Sequence, residues 1–239
     1  MNSSKKSILN SNFTYLAAFV LPVIMMMALY YTRGIFPWGN ECYLRSDMYH
    51  QYAPFFSELW HKIRNGESLT YSWNIGMGTN FTSLFAYYLA SPSNWFVALF
   101  PQKYTIEIMN AFIILKIAGS SLSLTYYLTK HNNNKHVIAA IFGMFYGMSG
   151  FIAAYSWNIM WLDCVILIPL IMLGLERLVN ENRCIFYCIT LGLCIFTNYY
   201  IAIMVCLSVV IYYVVLMIAY NGIKSPMQYV KKFINLCVY

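Results

Sequence analysis

Residues 43–52 read Tyr-Leu-Arg-Ser-Asp-Met-Tyr-His-Gln-Tyr, so Arg45, Asp47 and His50 fall within six positions among tyrosines. Those residue types suit transfer of a group away from a phosphate. A carboxylate within hydrogen-bond reach takes the proton of an acceptor hydroxyl. A fixed cation stabilises the charge that develops on the departing phosphate. Asp47 is the candidate base and Arg45 and His50 the candidate phosphate partners. Tyr49, Gln51 and Tyr52 are candidates for contact with the substrate. A plainer role is also open: Ser46 or Asp47 can cap a helix beginning near Met48, where an acid suits the helix dipole.

A second polar group lies at 155–163, Tyr-Ser-Trp-Asn-Ile-Met-Trp-Leu-Asp. Asn158, Trp157 and Trp161 form an aromatic and polar rim there, and Asp163 heads the next apolar run. Asp163 is the candidate second acid, positioning donor or acceptor. It also reads as an ordinary acid at a helix start, and the tryptophans as an interfacial belt. Lys116 interrupts the apolar run 111–124, with Ser120 and Ser123 following at i+4 and i+7. A charge at that depth usually faces the bundle or a wet cavity. It either helps to hold a phosphate or forms a packing salt bridge. Asn198 breaks the long apolar run 184–220 and is the last candidate for substrate contact. Two carboxylates on one face offer oxygen ligands to a divalent cation, and the sequence leaves metal dependence open. No zinc, Walker or G-x-S-x-G motif is present.

The elements that carry these residues are apolar helices. Of 239 residues, 60% are hydrophobic and only 10% charged, against about one-quarter charged in an ordinary soluble domain. Mean hydropathy is +0.57. The net charge of +7 points to basic loops of a membrane protein rather than to nucleic acid, because Lys and Arg collect in short loops between spans. A spanning helix needs about 20 mostly apolar residues. The expected architecture is an all-α polytopic bundle with spans at 13–32, 105–129, 137–155, 162–179, 184–198 and 200–220. It forms a single transmembrane domain with a large loop at 33–104.

The basic residues set the expected orientation. With Lys5 and Lys6 in the cytoplasm, Lys130, Lys135, His136, Arg177, Arg183, Lys224, Lys231 and Lys232 also fall inside, provided that 81–100 does not cross. That segment is broken by Ser91-Pro92-Ser93-Asn94 and reads as interfacial or re-entrant. The same count brings 33–104, 155–163 and Asn198 to the outer face. Within the large loop, Met48, Tyr52, Phe55, Leu59 and Ile63 recur at helical spacing. The expectation is an amphipathic helix in the interface plane, its aromatics toward lipid and Asp47, Gln51, Glu58 and Lys62 opposite. Pro54 should kink it or shift its start.

Four blocks carry a resemblance to a known family: residues 46–56 (SDMYHQYAPFF), 76–101, 143–178 (ending in NIMWLDCVILIPLIMLGLERL) and 197–204 (TNYYIAIM). In order and approximate spacing they resemble the YfhO family of bacterial membrane proteins, most specifically in N-x-x-W-L-D followed by P-L-I-x-L-G-x-E-R-L. That family is similar to glycosyltransferases of the GT-C class, which take a sugar from a polyprenyl-phosphate donor on the outer face of the membrane. The resemblance implies a cell-envelope acceptor such as teichoic acid in a Gram-positive bacterium. It implies that Asp47 matches the essential acid of the first large outer loop and Asp163 an acid of the next. It also implies a longer protein, of which these residues would be an N-terminal part. Two rival readings use the same acids differently. One is a transporter or flippase of lipid-linked substrate, and the other a non-catalytic membrane partner or scaffold.

Overall fold

In the computed structural model the described residues are 2–132, 137–219 and 234, with side chains described from Asn12 onward. Lys135, His136, Lys224, Lys231 and Lys232 lie outside the described residues. The chain forms helices α1 (Asn2–Thr32), α2 (Ala53–Asn65), α3 (Phe81–Leu84), α4 (Thr105–His131), α5 (Val137–Gly147), α6 (Gly150–Tyr155), α7 (Leu162–Glu181), α8 (Ile185–Thr197) and α9 (Tyr199–Ala219). Strands β1 (Tyr71–Ser72) and β2 (Thr79–Asn80) pair antiparallel in a short hairpin.

Four stretches are long and apolar enough to cross a membrane: Asn12–Thr32, Gln102–His131, Val137–Tyr155 and Tyr199–Ala219. The two other expected spans differ in kind. Helix α7 has 20 residues but carries Asp163, Glu176, Arg177 and Glu181. Helix α8 has only 13 residues, about 20 Å at 1.5 Å per residue, which is short of a full crossing.

Side-chain bonds fix the directions of the helices. Tyr15 of α1 meets Thr129 near the end of α4, while Tyr30 stacks on Tyr43 in the following loop. Lys116 and Tyr127 of α4 meet Asp163 and Glu176 of α7 in the same order, so these two helices run parallel. Tyr212 of α9 also reaches Glu176. One end of the bundle therefore carries the loops 33–104 and 156–161 and Asn198. The other carries Lys130, His131, Arg177 and Arg183.

Segment 81–100 stays at the loop end. It is split into α3, a π-helical turn at 85–89 and a 3₁₀ helix at 92–99. Its first residue donates its N–H to Thr70 O. Its last, Phe100, accepts from Trp60 Nε1 at 2.7 Å. Both ends are thus tied to α2 or to the chain just after it.

Helix α2 corrects an expectation. Met48, Tyr52, Phe56 and Leu59 are buried in the protein core, not turned to lipid. The supposed polar face is buried as well. Glu58 accepts from Ser72 Oγ (2.6 Å) and Asn74 Nδ2 (3.0 Å). Lys62 Nζ donates to the carbonyls of Ser68 and Tyr71. The β-hairpin lies over this face and satisfies it, as buried charge requires. Pro54 shifts the start of the helix: Met48–Tyr52 forms a π-helical turn and α2 proper begins at Ala53.

Helix α4 sits at the centre, packed on α1, α5 and α7. Its polar stripe is not a water path. Ser120, Ser123 and Thr125 are buried and bond to carbonyls of their own helix. Small residues let α5 approach closely, as membrane helix pairs often do. A Cβ on Gly143 would collide with Thr125 Oγ1 and the Ser121 carbonyl oxygen. Gly143→Val is therefore expected to destabilise the bundle by about 1–3 kcal/mol through overpacking. Thermal unfolding in detergent reads this, and an unchanged melting temperature would contradict the close packing.

Candidate functional site

The stretch 43–52 enters the site in a constrained backbone. Ser46 has φ of 46°, a left-handed conformation that a non-glycine residue adopts at a cost and that clusters at functional positions. Asp47 stands at the helix start, yet its side chain makes no capping bond. The plainer role raised by the sequence is thus unfilled. The Asp47 carboxylate is half-buried and has no hydrogen bond or ion pair among the described residues. Arg45 is likewise unpaired and lies over the Tyr43 ring at 5.5 Å. His50 sits edge-on to the exposed Tyr49. Three ionisable groups therefore lie together without neutralising one another.

Tyrosines tie this stretch to the rest of the loop end. Tyr52 Oη donates to Asn158 Oδ1 at 2.8 Å, a buried bond between residues 106 apart. Tyr43 and Ser156 share a buried 2.7 Å hydrogen bond. Tyr88 Oη donates to Gln51 Oε1 at 2.8 Å. Burial pushes the Tyr52 hydroxyl far above its usual range, with Tyr88, Tyr87 and the Asp47 carboxylate adding to the effect. Burial raises Tyr88 too, again helped by Tyr87 and Asp47. Both phenols stay neutral and keep their protons for donation.

The second loop presents donors without acceptors. Asn158 Nδ2 and Trp161 Nε1 are buried and have no hydrogen-bond partner among the described residues. Buried polar groups are nearly always satisfied, so these two orphans of one loop suit a ligand's oxygens. Trp161 stacks on Tyr200 with centroids 6.3 Å apart, and Tyr87 packs on Tyr199 and Tyr200. These rings extend the wall on the side of α9. Trp157 is half-buried and packs against the core.

Asp163 is differently placed from Asp47. Its Oδ2 lies 2.6 Å from Lys116 Nζ, and both side chains are largely buried. Lys116 also donates to Ile159 O at 3.2 Å. The pair anchors the 156–161 loop and the start of α7 onto α4. Asp47 and Asp163 share no bond; the path between them runs through Tyr52, Asn158, the Ile159 carbonyl and Lys116. Asn198 is fully buried and committed on both sides. Its Nδ2 donates to Tyr87 O, and its Oδ1 accepts from Ile201 N at the start of α9. Among the described residues no three His, Cys, Asp or Glu side chains converge as metal ligands.

Sequence patterns do not single out Tyr43, Ser156, Tyr87, Tyr88 and Tyr200. With 22 tyrosines in the chain, nothing local marks these few. Beside Arg45 runs a slot of about 180 Å³ between α1, α4 and the α5–α6 region, lined by Met26, Leu29, Ile117 and Ile152 with Tyr43 and Ser156.

The fold and site define a polytopic α-helical membrane protein with a capped, tyrosine-rich site at one end of its bundle. The chain matches the bacterial membrane protein YfhO family over residues 17–239, and it belongs to that family. No curated protein and no solved structure matches it.

Proposed function

We propose that this protein is a GT-C-type glycosyltransferase. In this reading it moves a sugar from a polyprenyl-phosphate donor to a cell-envelope acceptor, such as teichoic acid, on the outer face of the membrane. The observation that carries the reading is the buried Tyr52–Asn158 bond. It joins the unpaired Asp47, Arg45 and His50 to a loop with two unsatisfied donors.

The chemistry follows from these placements. Asp47 accepts the proton of the acceptor hydroxyl as its oxygen bonds to the sugar's anomeric carbon. The bond from that carbon to the phosphate oxygen breaks, and the electron pair leaves with the polyprenyl phosphate. Arg45 and His50 stabilise the charge that arrives there. The apolar slot beside Arg45 accommodates part of the lipid, with the guanidinium at the phosphate. Asn158 Nδ2, Trp161 Nε1 and the rings of Tyr49 and Tyr52 hold the sugar. Asp163 positions the Asn158 loop through Lys116 and does not itself take the proton. The test is sugar transfer from a polyprenyl-phosphate donor by the full-length protein in proteoliposomes; absence of transfer to any envelope acceptor would count against the reading.

The orientation is tested separately. Single cysteines placed at 47 and at the exposed position 77 in a cysteine-free background are expected to react with an impermeant thiol reagent added outside cells. Cysteines at 135 and 183 are expected to react only after permeabilisation. The reverse pattern would put the tyrosine-rich site in the cytoplasm.

A further inference from the structure

The basic end of the bundle holds a second cavity, distant from the Asp47 site. It has a volume of about 360 Å³ and lies between the last turns of α4, α7 and α9. Lys130, His131, Arg177 and Asn180 line it, with Leu173 and Leu216 on its apolar side. Its acids are already occupied. Glu176, which is buried, accepts from Tyr127 Oη (2.8 Å), Tyr212 Oη (2.5 Å) and His131 Nδ1 (2.9 Å). Glu181 pairs with Arg183 at 3.2 Å. The two strongest cations are held differently. Lys130 lies over the Tyr126 ring at 5.6 Å and Arg177 over the Phe186 ring at 5.1 Å. Neither has an ion pair among the described residues. A ring face orients a cation without cancelling its charge.

This asymmetry, with carboxylates satisfied and cations only oriented, is the arrangement of an anion site. Arg177 presents a fork of donors that matches phosphate oxygens, and the Asn180 amide adds another. The apolar wall of Leu173 and Leu216 marks the occupant as amphiphilic. We propose that this cavity binds the phosphate headgroup of an anionic membrane lipid, with Lys130 and Arg177 on the phosphate and the lipid's first methylenes against Leu173 and Leu216. Basic pockets between helices are recurrent sites for such headgroups. The site is independent of the proposed transfer reaction and stands or falls without it.

Native mass spectrometry of the purified protein, released from mixed micelles, reads the preference directly. The probes are phosphatidylglycerol, phosphatidylcholine and inorganic phosphate. The expected result is retained phosphatidylglycerol in preference to phosphatidylcholine. Lys130→Gln and Arg177→Gln should each reduce that preference about fivefold. Lys6→Gln removes a charge near the start of α1, a helix that does not line the cavity, and should leave the preference unchanged. Inorganic phosphate should not displace the lipid. Displacement by phosphate alone would reassign the site to a soluble anion and overturn the lipid proposal. An equal loss in Lys6→Gln would reduce the effect to general surface charge and overturn it as well. Should Arg177→Gln fail to fold, Lys130→Gln, which changes an exposed side chain, decides the matter.

Discussion

Replacing Asp47 by asparagine is expected to lower sugar transfer by about 10²–10⁴-fold, the usual contribution of a positioned base, with almost no change in melting temperature. The two halves of this expectation have separate grounds. Asparagine keeps the size of the side chain, and the Asp47 carboxylate has no capping bond or ion pair to lose. Stability therefore has little reason to change. The proton, by contrast, has few other destinations. Tyr52 and Tyr88 stay protonated because burial opposes their ionisation. His50 is the remaining base nearby, and His50→Gln is the companion variant. Should Asp47→Asn transfer sugar as fast as the parent while His50→Gln does not, the base has been assigned to the wrong residue. A variant that melts early and loses activity in proportion would instead mark Asp47 as structural.

The second large effect concerns Lys116 and Asp163. Lys116→Met is expected to cost about 3–5 kcal/mol, the range for removing one partner of a buried ion pair. Among the described residues neither Lys116 nor Asp163 has another ion pair beside their 2.6 Å contact, and the Ile159 carbonyl loses its donor too. The double variant Lys116→Met/Asp163→Leu should recover most of that stability, because no uncompensated charge is left buried. Chemical denaturation in detergent reads both. Transfer by the double variant then separates two roles. If Asp163 only anchors the loop, the double variant retains substantial activity. If its carboxylate touches donor or acceptor, the double variant is stable and inactive. A single Lys116→Met as stable as the parent would show that the pair contributes nothing to the fold.

Local features of the fold are legible in the residues themselves. The break in 81–100 falls at Ala90–Ser91, beside the Ser-Pro-Ser-Asn tetrad, because Pro92 has no N–H for a continuing helix. The long run 184–220 divides at Asn198, whose side chain caps α9. Other features are hidden. The periodicity of Met48, Tyr52 and Leu59 identifies a helix with one apolar face, but not whether lipid or protein covers it. Glu58 and Lys62 have the pattern of a solvated face. They are buried because the β-hairpin, a few residues further on, folds back over them. Tyr88 and Tyr43 enter the site only through partners far along the chain.

Residue types along the chain are enough to establish a membrane protein and the apolar character of the helices that build it. These follow from transfer free energies that add residue by residue along a segment, so they need no knowledge of neighbours. Which ionisable groups are neutralised is a matter of packing alone. Asp47 and Asp163 look alike in sequence, each an acid at a helix start. Asp163 is paired with Lys116, 47 residues away, whereas Asp47 meets no cation among the described residues. The difference comes from how α4 is rotated against α7. Helix α4 is packed on several sides at once, so its apolar pattern singles out no face, and only the packed bundle selects which charge Lys116 will meet.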